Sequence, residues 1–170
     1  MRTKHPQGVM MLGVVGSDGK RMPPFFFKEG LKITTDVYIR VMSRVVKPWI
    51  DENYPNGNVI WQQDSAPAHA ATRTQKWLKE RLPDFWPKDL WPPNSPDANP
   101  LDYGIWGYIE KKVCKTPHRN VDSLKSAICE EWAAMSDEYV AKVCGSFRRR
   151  IEAIIEADGG HFERKRKIRS

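Results

Sequence analysis

No run in this 170-residue sequence reaches the roughly 18 consecutive apolar residues of a membrane-spanning helix, so a membrane partner is not expected. Residues Met1 to Gly8 carry no apolar core of a secretion signal. Cysteine is scarce. Cys114, Cys129 and Cys144 form no C-x-x-C pair, and their odd number argues against a disulfide framework. They fall in stretches that read as helical, so burial as small apolar side chains in a reducing compartment is the expected role. No internal repeat is visible. Met1 to Gln7 contain neither Asp nor Glu.

What is present describes a folded, basic chain. Hydrophobic residues make up 40% of it, enough for a buried core. Lys and Arg number 28 against 21 Asp and Glu, a formal charge of +7, and the pI is about 9.4. A surplus of this size fits a nucleic-acid partner and fits equally a solvated basic surface.

Gly8 to Ser17 is mostly apolar and reads as a buried strand. Asp18-Gly19 supplies a hairpin turn, and Met22 to Lys28 reads as the return strand, its prolines marking an edge. Thr34 to Val46 reads as a helix capped by Thr34 or Thr35 and stopped near Pro48. Asn58 to Gln63 is a short apolar strand. A helix follows over Ser65 to Leu82, beginning after Pro67, and Phe85 to Leu90 carries a weak strand signal. Trp91 to Pro100 (WPPNSPDANP) holds four prolines and cannot be a regular element. Leu101 to Val113 reads as a helix, Asn120 caps another, and Ser136 caps a third running to about Ala157. This order predicts an α/β fold with a mixed sheet flanked by helices. Residues 1–160 form one domain and 161–170 a basic, disordered tail.

Two carboxylates stand out. Asp64 follows an apolar strand and precedes a helix, where α/β sheets place ligand groups. A helix cap or turn aspartate fills the same place. Asp102 opens a helix after the proline loop, where an acid also complements the helix dipole. They lie 102 − 64 = 38 positions apart. Oxygen ligands from separate elements suit a hard divalent cation. Phosphodiester chemistry commonly uses two such ions about 3.5–4 Å apart. A two-ion site normally takes a third carboxylate.

The run Val59 to His69 (VIWQQDSAPAH) resembles the mariner-superfamily transposase motif around the second catalytic aspartate. Trp91 to Asp102 (WPPNSPDANPLD) resembles that family's approach to its third acid, with Trp106 four residues beyond. The likeness runs from about Gly8 to about Gly159. It implies a ribonuclease-H-like fold, Mg²⁺ or Mn²⁺ at a two-ion site, and DNA transposition. By the same resemblance Asp64 and Asp102 are the catalytic and metal-binding acids. Asp97 belongs to the loop's Ser-Pro-Asp turn. His69 matches a histidine near the active site, either supporting a ligand or packing a helix. DNA, as transposon ends and target, is the implied partner, a homodimer is a further candidate, and no small-molecule substrate is implied.

The family's first acid lies on a first strand ahead of the Asp18 hairpin, and no residue here matches it. The expectation is therefore a catalytic domain with its first strand missing, inactive alone. The alternative is a catalytically silent nucleic-acid-binding protein derived from a transposase. A host nuclease of the same fold is a third reading, disfavoured by the mariner character of both motifs.

Other features offer contacts to DNA. Arg148, Arg149 and Arg150 form a candidate phosphate-contacting stripe, or a solvated helix face. Arg164, Lys165, Arg166 and Lys167 fit a DNA-binding or nuclear-import patch, which makes the nucleus the expected location. Trp61, Trp77 and Trp132 lie on apolar faces and are assigned to the core rather than to base stacking. Trp86 and Trp91 flank the proline loop and stay unassigned.

Overall fold

The computed structural model describes residues 9–90 and 99–156. They gather into two compact units, one built from residues 9–29 and 99–156, the other from 30–90.

In the first unit, β1 (Met11–Leu12) pairs antiparallel with β2 (Phe25–Phe26), Met11 opposite Phe26 and Leu12 opposite Phe25. A bridge between Val15 and Arg21 extends the hairpin towards its tip. Gly19 closes the tip at φ +98°, a backbone state that suits glycine, so the Asp18-Gly19 turn is where the sequence put it. The paired stretch is far shorter than the expected strands. Pro23 and Pro24 remove two donors from the return strand, leaving little ladder to build.

Four helices complete this unit: α5 (Trp106–Val113), α6 (Val121–Ala134), α7 (Asp137–Gly145) and α8 (Phe147–Glu156). A π turn over Leu101–Ile105 leads into α5. Asn120 caps α6 by accepting from the Ser123 N–H at 2.8 Å, and Ser136 caps α7 through Tyr139 at 3.1 Å. Ile105, Ile109 and Val113 recur every four residues, as do Leu124, Ile128 and Trp132, and all six are buried in one cluster. Full burial of each such side chain stabilises by about 1.5–3 kcal/mol before entropy is charged. The single helix expected from Ser136 to Ala157 is two. Glycine at 145 is a poor helix former, and the Ser146 N–H turns back to Val143 O, three residues away rather than four.

The β-hairpin is fastened to α6. Gly13 lies beneath the stacked rings of Trp106 and Trp132, whose centroids are 5.6 Å apart. A Cβ at Gly13 would stand 2.8 Å and 2.9 Å from their outer carbons. Trp132 Nε1 donates to Met22 O at 3.0 Å. Arg21 donates to the carbonyls of Trp132, Ala133 and Met135 at the end of α6, and to Asp137. A cation there answers the unpaired carbonyls of a helix C-terminus.

In the second unit, α1 (Thr35–Val41), a π turn (Met42–Val46) and α2 (Lys47–Asn53) form one helical run. Thr34 is the cap, accepting from Val37 N–H at 3.3 Å. Pro48 does not stop the helix as expected. After the wide π turn it stands in the first turn of α2, where a missing N–H is tolerated. The next expected helix is also broken. Ala71, at ψ 141°, separates α3 (Pro67–Ala70) from α4 (Thr72–Arg81). Thr74 Oγ1 bridges that break by donating to Ala68 O at 2.6 Å.

The mixed sheet needs correction. Among the described residues the antiparallel pair β1–β2 is the whole ladder. The expected strands at 58–63 and 85–90 are represented by one parallel bridge, Trp61 to Phe85. Pro83 and Pro87 bracket Phe85, and a 3₁₀ turn takes Lys88–Leu90. The cysteines also depart from expectation. Cys114 and Cys129 are exposed, the first at the end of α5 and the second on the outer face of α6, and Cys144 is half-buried. Trp132 is buried as expected, whereas Trp61 and Trp77 are half-buried. Among the described residues no helix is long and apolar enough to cross a membrane.

Candidate functional site

Asp64 lies in the extended stretch between the Trp61 bridge and α3. It is not a helix cap, since α3 begins after Ala66. Its Oδ1 accepts from the Ala66 N–H at 3.1 Å and faces His69 Nδ1 at 2.5 Å. The imidazole nitrogen is buried against that oxygen. Oδ2 makes no hydrogen bond among the described residues. Burial pushes the Asp64 carboxyl up, but His69 and the Ala66 N–H outweigh it and hold the group at about 2. An ionised carboxylate with one oxygen tied back and one open is a suitable donor for a hard divalent cation.

A buried polar network surrounds this pair. The Tyr38 ring from α1 lies against the His69 imidazole, centroids 4.1 Å apart and planes 32° apart. Tyr38 donates its hydroxyl to Gln63 Oε1 at 2.5 Å, and Trp61 Nε1 donates to the same oxygen at 3.1 Å. Gln63 Nε2 then donates to His69 O at 3.0 Å, and Gln75 Nε2 donates there too at 2.9 Å. Burial, and next the Asp64 charge, hold the Tyr38 phenol far above its ordinary range, so it stays a donor. His69 is thus both buried and in contact with Asp64.

Asp102 belongs to the other unit and stands exposed in the π turn. Its N–H donates to Asn99 O at 3.0 Å. Asn99 is buried and its Oδ1 accepts from the Leu101 N–H at 3.0 Å, so it fixes the entry to the turn. On either side the turn is pinned to α7. Tyr103 donates to Val143 O, and Tyr139 donates to Gly104 O at 2.7 Å. Gly104 packs so closely on Val143 that a Cβ there would collide with it.

Asp97 and Trp91 fall in 91–98, and Arg164, Lys165, Arg166 and Lys167 in 157–170, outside the described residues. The α8 arginines do not form an even stripe. Arg148 pairs with Glu152 at 3.1 Å, Arg149 is exposed, and Arg150 lies 3.9 Å over the Tyr103 ring. Among the described residues no three of His, Cys, Asp and Glu gather as a metal-ion group. Tyr38, Gln63, Gln75 and Arg21 were not singled out from sequence. Gln63 adjoins Asp64 and carried a local signal, and Gln75 meets His69 six positions back, but Tyr38 reaches Gln63 across 25 positions and Arg21 reaches Trp132 across 111, where spacing is silent.

No protein-family model matches the chain. Two curated relatives do. The chain is 27% identical over 122 residues to the Tc1 transposase of Caenorhabditis elegans, covering 72% of this chain and 43% of that protein. It is 25% identical over 130 residues to the Tc3 transposase of the same organism, covering 75% and 38%. The chain therefore spans about two fifths of the length of these relatives. Among solved structures, the Mos1 transposase catalytic domain with Raltegravir and Mn superposes at TM-score 0.79, 20% identity, 91% of this chain and 78% of that one. A Mos1 paired-end complex with the left transposon end gives 0.79, 20%, 95% and 47%. These superpositions establish the fold.

Proposed function

We infer that this chain, similar in sequence to Tc1 and Tc3 transposases and folded like the Mos1 catalytic domain, is a mariner/Tc1-type transposase catalytic domain acting on DNA. The observation that carries this reading is the pair of motifs ending at His69 and Asp102, present in family order on a chain with the family's fold.

Asp64 and Asp102 are the metal-binding acids in this reading. They lie in different units, and the motifs pair them rather than a distance. Mg²⁺ or Mn²⁺, used in solved Mos1 structures, would supply Lewis-acid stabilisation of the developing charge at phosphorus. Asp64 would present Oδ2 while His69 and the Ala66 N–H hold Oδ1. In a relative that holds all three acids, water would attack a transposon-end phosphodiester, and the freed 3′-hydroxyl would then attack target DNA. Positioning and charge stabilisation carry the chemistry, because the protein forms no covalent bond to DNA. Nuclear residence and paired copies of the chain belong to the same proposal.

The two matched acids are one short of the three that a two-ion site takes, so the 170 residues alone are expected to bind DNA without cutting it. Binding and nicking of a labelled terminal-repeat duplex in Mn²⁺ test this. Salt-sensitive retention without nicking is the expected result. Nicking abolished by Asp64→Asn would contradict the inactivity, and no DNA retention at low salt would contradict the assignment to DNA.

A further inference from the structure

The Asp64 carboxylate could rotate about two bonds, yet its two oxygens are in unlike surroundings. Oδ1 is engaged by the Ala66 N–H and by His69, while Oδ2 has no hydrogen bond among the described residues. The His69 ring beside Oδ1 is itself packed from α1. Tyr38 is 1% exposed and covers the imidazole face at 4.1 Å. Gln63, which receives the Tyr38 hydroxyl, holds the His69 carbonyl, and Gln75 holds it from α4.

We propose that Tyr38 is a positioning residue for Asp64: its ring fixes the His69 imidazole, which ties Oδ1 and leaves Oδ2 as the single oxygen offered to a cation. The ring matters more than the hydroxyl. Gln63 Oε1 keeps a second donor in Trp61 Nε1 at 3.1 Å, so loss of the phenol oxygen leaves that acceptor satisfied. Loss of the ring frees the imidazole to turn, and Asp64 then samples several rotamers. A ligand that must be ordered by the ion binds it less tightly, and partners of this kind typically contribute about 10–100-fold to metal affinity.

The proposal deepens the reading of Asp64 as a metal-binding acid, and two measurements separate them. Without metal, scalar couplings across the Asp64 Cα–Cβ bond report its rotamer by NMR. A single rotamer is expected in the native chain and in Tyr38→Phe, and averaged couplings in Tyr38→Leu (or Tyr38→Met, should the leucine variant not fold). With Mn²⁺ as the probe, Tyr38→Leu should bind about 10-fold more weakly at a temperature where it is folded, and Tyr38→Phe within about 3-fold of native. An unchanged Asp64 rotamer in Tyr38→Leu overturns the proposal whatever the metal does. Unchanged Mn²⁺ affinity in Tyr38→Leu, with affinity lost in Asp64→Asn, also overturns it. Mn²⁺ binding that ignores Asp64→Asn overturns the metal reading instead, and the rotamer result still decides the role of Tyr38.

Discussion

Arg150 rests its guanidinium 3.9 Å above the ring of Tyr103, the residue that follows Asp102. That posture packs the arginine against the π turn. Arg150→Ala should lower stability by about 1 kcal/mol through loss of the cation–π contact. Removing Arg149, which is exposed, should instead weaken DNA binding and reduce its salt slope by about 1. Thermal melts and salt titrations of the two variants check the contrast.

Gly13→Ala sets a methyl 2.8 Å from Trp106 and 2.9 Å from Trp132. Two stacked indoles in a buried cluster cannot both withdraw without opening a gap. The expected cost is about 1–3 kcal/mol, measured by denaturant unfolding, with a change in tryptophan fluorescence.

Arg21 serves four carbonyls and one carboxylate with one planar fork. Arg21→Ala should destabilise by about 3 kcal/mol, since it strands carbonyls at the end of α6. Lysine should not restore this, because a point charge cannot reach all of them. Asp137→Ala, at an exposed side chain, should be nearly neutral. Unfolding curves for the three variants test the ranking.

Asp64 is held at about 2 against an ordinary 3.8. A depressed carboxylate stabilises the fold above its unfolded value, and that contribution disappears as pH falls through the folded value. The native chain should therefore carry on the order of 2 kcal/mol from this group above about pH 5, shrinking below pH 4 and gone near pH 1. Asp64→Asn should flatten that part of the acid-stability curve. NMR titration of the Asp64 carboxyl in the metal-free chain gives the folded value directly.

The helix caps were legible in sequence because they are local: Thr34, Asn120 and Ser136 each accept from a backbone N–H three residues on. The Asp18-Gly19 turn was legible for the same reason. Strand length was not. Apolar runs at 8–17 and 58–63 look like strands, but Pro23, Pro24, Pro83 and Pro87 sit on the partner segments and limit pairing. The passage through Pro48 was hidden because a π turn shifts the hydrogen-bond register ahead of it. At the candidate site, Asp64 and His69 were visible through their motif. Tyr38, 26 positions before Asp64, was not, because the fold brings its ring to His69 and no periodicity records that contact.

Asp64 and Asp102, read as metal-binding acids, should each contribute to Mn²⁺ affinity. Mn²⁺ titration followed by electron paramagnetic resonance tests it most directly, on the native chain and on Asp64→Asn and Asp102→Asn, each confirmed folded. The native chain should bind Mn²⁺, and each variant should lose that binding or weaken it at least about 10-fold. Binding of equal strength in all three, or none in the native chain, would contradict it.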